Sequence, residues 1–228
     1  MTEDRPLAIV AGAGPGLGHA LLRRFEQGGF RSVGFVRTKP ANGEGVEIAQ
    51  VDLTDPDEVN HAVGALVTEN GPPGIVVHNT AHLVIRPFAD TTLAEFEESW
   101  RAMVLSAAVL AQSVVPSMVG GSGGTFIVSG ATASLRGGAN FAAFASAKFA
   151  LRGLTQSLAR AYQSDGIHVV HTILDGIIDT EKSRNLHTLD PDRMMKPGDI
   201  AEAYWQLAHQ PHSTWSHEID LRPRSESF

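Results

Sequence analysis

Leu7-Ala8-Ile9-Val10-Ala11-Gly12-Ala13-Gly14-Pro15-Gly16-Leu17-Gly18 runs from an unbroken apolar stretch into a glycine-rich turn, and an amphipathic segment over 16–28 follows it. An apolar run without alternation predicts a strand buried on both faces over 7–11, as in a parallel sheet. Glycine lets the backbone turn sharply and approach a pyrophosphate, whose charge is stabilised by free amides at the next helix N-terminus. The bland alternative is an ordinary strand-to-helix turn. The strand–turn–helix context favours the nucleotide reading.

Working outward, apolar runs of strand length recur near 31–37, 46–51, 74–78, 124–129, 167–174 and 217–221. Segments of helical period fall between them, near 56–69, 92–118, 141–164 and 199–209. This alternation predicts one α/β domain over residues 1–228, a parallel sheet with helices on both faces. In 92–118, Leu93, Phe96, Trp100, Met103, Ala107, Ala111, Val114 and Met118 form one apolar stripe. Gly120 to Gly124 reads as a turn into the fifth strand, and Pro and Gly in 38–45 predict a loop crossover. Segment 181–198 is polar, contains Pro191 and Pro197, and is expected to be a mobile flap.

The chain has 228 residues, enough for one sizeable core. Its 18 Lys+Arg against 25 Asp+Glu give a net charge of −7. Nothing here releases counterions from phosphates, which disfavours nucleic acid and anionic membranes as partners. The absence of cysteine excludes disulfides, thiolate catalysis and Cys-ligated zinc. No metal is expected: His78 and His82 do not share a helix, and His168 and His171 should point to opposite faces of a strand. The acidic start lacks the positive region of a signal peptide, and Met103 to Val119, broken by Gln112 and Pro116, reads as too short and too polar to cross a bilayer. A cytoplasmic location is the expectation.

The spacing Gly12-x-x-x-Gly16-x-Gly18 resembles that of the short-chain dehydrogenase/reductase family, and the resemblance extends along nearly the whole chain. Val51-Asp52-Leu53-Thr54 resembles the element whose Asp meets the adenine. Val77-His78-Asn79-Thr80-Ala81 resembles the Asn-Asn-Ala-Gly element with only Asn79 kept, and Leu174-Asp175-Gly176-Ile177-Ile178-Asp179-Thr180 resembles the Pro-Gly-x-x-x-Thr element beside the nicotinamide. Asp175 stands where Pro is usual. The resemblance implies a Rossmann-like, doubly wound parallel sheet of order 3-2-1-4-5-6-7. It also implies cofactor contacts at Gly12, Gly16, Leu17, Gly18, Asp52, Leu53, Asn79, Lys148 and Thr180. The second strand ends Val36-Arg37-Thr38, without the carboxylate that binds an NAD ribose diol, and Arg37 can pair with a 2′-phosphate. NADP (NADPH) is therefore expected over NAD.

The family's catalytic positions fare worse. Where Tyr is the general acid/base with a Lys four residues on, this chain reads Phe144-Ala145-Ser146-Ala147-Lys148. The lysine remains and the phenol has become a phenyl. The usual interval back to the catalytic Ser lands on Ala131, with Ser129 or Thr132 as candidates after a register shift. Aligning Phe96 with the aromatic residue preceding the family's Asn puts Met103 at the Asn position, where core packing is its bland role. His82 could act near substrate or simply lie at the surface, and Asp175 could be a base or make an Asp-Gly turn.

An ordinary ketone reductase is thereby disfavoured. The leading expectation is an atypical NADP-dependent oxidoreductase passing hydride to a small substrate that needs little protein acid, such as a pre-protonated imine or a conjugated alkene. The alternatives are an NADP(H)-binding pseudoenzyme or interaction module, and a redox-neutral cyclase or isomerase using the old groove. The small residues of 141–164 (Ala142, Ala143, Ala145, Ala147, Ala150), read with the resemblance, imply a homodimer or homotetramer.

Overall fold

The computed structural model describes residues 5–39 and 45–226. Within these, β1 (Leu7–Ala11), β2 (Arg31–Val36), β3 (Glu47–Gln50), β4 (Pro73–His78), β5 (Gly124–Ser129), β6 (Ile167–Leu174) and β7 (Glu218–Leu221) form one 7-stranded sheet of order β3-β2-β1-β4-β5-β6-β7. Every pairing is parallel. The order reverses at β1, so the carboxyl ends of β1 and β4 diverge into a crevice.

Residue alternation assigns each strand side chain to one of two cores. Leu7, Ile9 and Ala11 of β1 pack with Val59 and Val63 of α2 (Pro56–Asn70), Leu110 of α4 (Ser106–Gly120) and Leu151 of α5 (Ala142–Tyr162). Ala8 and Val10 face Leu21 and Phe25 of α1 (Leu17–Gln27) and Ile200 and Tyr204 of α7 (Pro197–Ala208). A strand covered on both sides has no polar face to show, which is why 7–11 reads as a continuous apolar run. Helix starts follow local chemistry. The Asp55 carboxylate accepts from the amides of Asp57 and Glu58 at the head of α2, and Thr92 and Glu95 form a capping box on α3 (Leu93–Trp100).

The expected single helix over 92–118 departs from the sequence reading in two ways. It contains a π-helical turn at Arg101–Leu105 between α3 and α4, and its apolar stripe is buried only in its second half. Met103, Ala107, Ala111, Val114 and Met118 are in the core, whereas Leu93 is 86% and Trp100 46% exposed. The reason is geometric: α4 lies over the sheet, whereas α3 packs on α5. The run was also expected to be too short and too polar for a bilayer. As folded, Leu93–Gly120 spans 28 residues and is long and apolar enough by length and composition, and more than half of its most apolar window is buried against the protein's own core.

Segment 181–198, read from its composition as a mobile flap, is folded into a strap in this structure. It contains α6 (Glu181–Leu186), buries Met194 and Met195, and is stitched by a bridge between Ile178 and Met195. Asp179 ties it further, accepting from Arg184 Nε at 2.6 Å and from Lys196 Nζ at 2.9 Å. A carboxylate shared by two cations and two buried methionines outweigh the loop-like composition of this stretch. The loop expected over 38–45 lies mostly outside the described residues.

Candidate functional site

The glycine turn leaves β1 at Gly12, whose φ of +86° lies in the left-handed region. A Cβ there would sit 2.6 Å from the carbonyl oxygen of Asn79. Asn79 closes the turn, its Nδ2 donating to the Gly12 carbonyl at 3.1 Å and its backbone amide to Ala11 at 2.8 Å. Gly16, at φ +101°, lies against the Thr180 methyl: a Cβ there would come within 2.6 Å. Gly14 faces open space, so nothing of the protein fills the approach above the turn. The N-terminus of α1 opens there, and the first amides of a helix, which have no partner within it, suit a pyrophosphate.

A groove of about 460 Å³ extends from this turn past Val36, Arg37 and Thr38 to Asp52 and Leu53 on one side, and past Asn79, Thr80 and His82 on the other. Arg37 is exposed just past the end of β2, free to meet a phosphate at the rim. The Asp52 carboxylate accepts from the Thr54 amide and hydroxyl, both at 2.8 Å, and these bonds hold its pKa below the usual carboxylate range. Gly12, Asp52, Leu53, Asn79 and Arg37 thus line one groove. Thr180 meets the turn from the opposite side, where its hydroxyl caps α6 by accepting from the Ser183 amide.

At the reacting end, Lys148 is buried on α5 and donates to the Ser129 carbonyl at 2.8 Å. Burial lowers its pKa to about 8. Its Nζ lies 5.7 Å from the centre of the half-buried Phe144 ring, one helical turn earlier. Met103 is fully buried in the α4–α5 core, so its bland role is the one the fold uses. Of the two hydroxyls considered beside Ala131, Ser129 points to the opposite core, bonded to the Tyr204 hydroxyl at 2.9 Å, and is removed from the site. Thr132 stays, half-buried just beyond the end of β5.

Asp175 plays neither role expected of it, free base or simple turn former. It is 6% exposed, accepts a short hydrogen bond from the Thr132 hydroxyl, and pairs with Arg222 Nη2 at 3.2 Å. His82 faces Glu98 at 3.6 Å on the groove wall. His168 stacks on Trp215 on one side of β6, while His171 meets Ser134 and Thr155 on the other, the opposite facing that strand geometry requires. Among the described residues no cluster could hold a metal ion.

One polar network escaped the sequence reading. It centres on His78, whose Nε2 lies 2.8 Å from the Ser106 hydroxyl and 3.0 Å from that of Thr80, and both hydroxyls donate to the Ala102 carbonyl. The π-helical turn makes this possible, because the Ser106 amide bonds to Arg101 instead of Ala102. With both hydroxyl protons committed, His78 Nε2 must carry the hydrogen, leaving Nδ1 as a bare buried acceptor. Burial, with the Lys148 charge nearby, pushes the His78 pKa down to about 3. Nothing in the sequence links a residue at the end of β4 to a hydroxyl on the slipped turn of a helix 28 residues later.

Comparison with known proteins follows the same lines. The family described as short chain dehydrogenase matches residues 6–190. Carbonyl reductase [NADPH] 2 of Sus scrofa is 30% identical over 199 residues, covering 83% of this chain and 78% of that protein. A short-chain dehydrogenase from Rhodopseudomonas palustris superimposes with a TM-score of 0.80 at 32% identity, covering 96% of this chain and 98% of the other. ElxO, crystallised as a tyrosine-to-phenylalanine variant with NADPH bound, shares the fold with a TM-score of 0.85 at 18% identity, over 95% of this chain and 97% of that one.

Proposed function

The chain belongs to the short-chain dehydrogenase family, and on that premise we propose that it is an NADP(H)-dependent oxidoreductase that passes hydride to a small organic substrate without a tyrosine acid. The observation that carries this reading is the contrast between the nucleotide groove and the family's catalytic positions. The nucleotide end is complete, with the glycine turn clamped by Asn79 and Arg37 open at the rim. The reacting end keeps Lys148 but has Met103 in the core and a phenyl ring at Phe144.

When bound, NADPH supplies a hydride from its nicotinamide ring. The amides at the start of α1 hold the pyrophosphate, Arg37 pairs with the 2′-phosphate, and Asp52 and Leu53 border the adenine. Lys148 binds the ribose hydroxyls, and Thr180, packed against Gly16, lies beside the nicotinamide. The NADPH in the name of the porcine relative and in the ElxO crystal supports this choice of cofactor. A positioned acid contributes about 10²–10⁴-fold, so the substrates that suit this site are those already carrying their proton or taking it from water: an imine or a conjugated alkene. The exposed Leu93, Trp100 and Phe149 on the packed helices α3 and α5 support a homodimer or homotetramer.

Titration with NADPH and NADH, followed by nicotinamide fluorescence, tests the cofactor half. Arg37→Ala is expected to weaken NADPH by roughly 10–100-fold, the worth of one charge-assisted phosphate pair, and NADH hardly at all. Equal losses would sink the assignment of Arg37. Lys148→Ala is expected to weaken both cofactors alike. Tight NADPH binding with no turnover on any imine or enone would instead favour a nucleotide-binding pseudoenzyme, the reading that the vacant acid positions support.

Phe144→Tyr is expected not to create a ketone reductase. Its hydroxyl would enter a site where Ala131 has none and Thr132 already donates to Asp175, so ketone-dependent NADPH oxidation should stay within about tenfold of the parent, well short of what a working acid supplies. A rise of a thousandfold in that single variant would refute this account of the site.

A further inference from the structure

The polar groups at the reacting end share a property that the hydride-transfer reading does not by itself require: their hydroxyl protons are committed to the protein. Thr132 donates to Asp175. Thr80 and Ser106 donate to the Ala102 carbonyl. Thr155 donates to the Leu151 carbonyl, so at His171 Nδ1 is the donor to Thr155, and the Ser134 hydroxyl donates to Nε2 at 3.1 Å. With its proton spent on Asp175, the half-buried Thr132 hydroxyl beyond the end of β5 keeps only acceptor capacity. A carbonyl oxygen, an acceptor only, finds no partner in such a group.

The charges point the same way. Asp175 and Asp220 share one guanidinium, that of Arg222, with Nη2 contacting both carboxylates. Two carboxylates on one guanidinium leave the side facing Thr132 acidic rather than basic. A Thr oxygen whose hydroxyl is polarised by a carboxylate is a stronger acceptor than a free one. Taken with the proposed hydride transfer, on which this step rests, we propose that Thr132, oriented by Asp175, recognises the N–H of a protonated imine and of the amine it becomes, and so selects an imine/amine couple over a ketone/alcohol couple.

The reaction balances without a protein acid. The iminium carbon accepts the hydride with its two electrons, a C–H bond forms, and the C=N π pair moves onto nitrogen as a lone pair. Bound NADPH would supply this hydride by giving up one C–H bond and would take over the positive charge that the iminium loses, while the N–H to Thr132 is kept throughout. Ketone reduction would leave an alkoxide that needs a proton, and neither Thr132 nor Phe144 has one to give. Asp175 is thus a positioning residue acting through Thr132.

The test uses the whole protein with NADP⁺ or NADPH and three probes: 3,4-dihydroisoquinoline, its product 1,2,3,4-tetrahydroisoquinoline, and 2-tetralone, a ketone on a bicyclic frame of the same size. Calorimetric binding of the amine to the NADP⁺ complex is read separately from NADPH oxidation. Asp175→Asn lets Thr132 reverse its hydroxyl and is expected to weaken amine binding by about tenfold or more, the scale of one charge-assisted hydrogen bond. The same variant should shift the imine-to-ketone ratio toward the ketone, which a merely structural role would not do. Thr132→Ser is expected to retain amine binding and Thr132→Val to lose it, and the latter leaves the Asp175–Arg222 pair intact should Asp175→Asn fail to fold. The assignment is overturned if the parent prefers 2-tetralone, or if amine binding is absent or indifferent to Thr132→Val, even where NADPH binds well. Absence of NADPH binding to the parent would instead overturn the hydride reading and this assignment together.

Discussion

Gly12→Ala is expected to abolish detectable NADPH binding, a loss of at least about 100-fold, because it strikes the turn through both its conformation and its packing. At φ +86° an alanine bears strain of about 1–2 kcal/mol. Its Cβ would also lie 2.6 Å from the Asn79 carbonyl oxygen and 2.7 Å from the carbonyl carbon, backbone atoms that cannot swing aside. Relief requires β1 and β4 to separate where Asn79 closes the turn, at 3.1 Å through its side chain and 2.8 Å through its amide. Those contacts hold the turn that leads into α1, so the anion site opens with them. Fluorescence titration reads the binding and urea unfolding the stability. Gly64→Ala is the control: Gly64 sits inside α2 with nothing near its Cβ position, and that change should raise stability by about 0.5–1 kcal/mol without touching affinity. Undiminished NADPH affinity in Gly12→Ala would mean that the turn does not bind the pyrophosphate.

The second large effect is on stability against pH. His78 and His171 are buried and neutral, with pKa values pushed down by burial, and by the Lys148 charge after it, to about 3 and about 4. In the unfolded chain both return to an ordinary histidine value near 6.5. As pH falls below that value the unfolded state takes up protons that the folded state refuses, so stability falls. The loss begins near pH 6.5 and ends only at the folded pKa values, near 4 for His171 and 3 for His78. Between pH 7 and 5 each histidine costs about 2 kcal/mol, giving roughly 4 kcal/mol for the pair. The shifted carboxylates, Asp179 foremost, have depressed pKa values, and their contributions are lost only at lower pH. Urea unfolding at pH 7 and pH 5 measures the difference. His78→Gln, which can still donate to Ser106, should remove about half of the pH dependence. A stability unchanged between those pH values would mean that the two imidazoles are not buried as described.

These outcomes separate what belongs to the nucleotide end from what belongs to the reacting end. Loss of NADPH binding on altering Gly12 or Arg37 speaks only to the former. The response of Thr132 and Asp175 variants to amine and ketone speaks only to the latter. The pH dependence belongs to the scaffold beneath both, where His78 of β4 and His171 of β6 both feel the Lys148 charge on α5.

The local half of this molecule was legible in the sequence. Strand positions and the glycine turn follow from rules acting over a few residues, apolar runs for strands covered on both faces and glycine where the chain needs positive φ, whereas the sheet order was implied by the family resemblance. Arg37 and the phenyl at Phe144 are likewise read directly, because a missing carboxylate and a missing hydroxyl are properties of single side chains. The tertiary structure decided what depends on distant partners. The strap at 181–198 packs where it does because Asp179 meets Arg184 and Lys196 and because Met194 and Met195 find a core. Ser129 left the site because Tyr204, 75 residues on, takes its hydroxyl. The direction of the Thr132 hydroxyl depends on Asp175, 43 residues away, and on Arg222 beyond it. A hydrogen bond takes its sense from whatever group the fold brings within reach, so the polarity of the reacting end exists only once β5, β6 and the segment after β7 lie side by side.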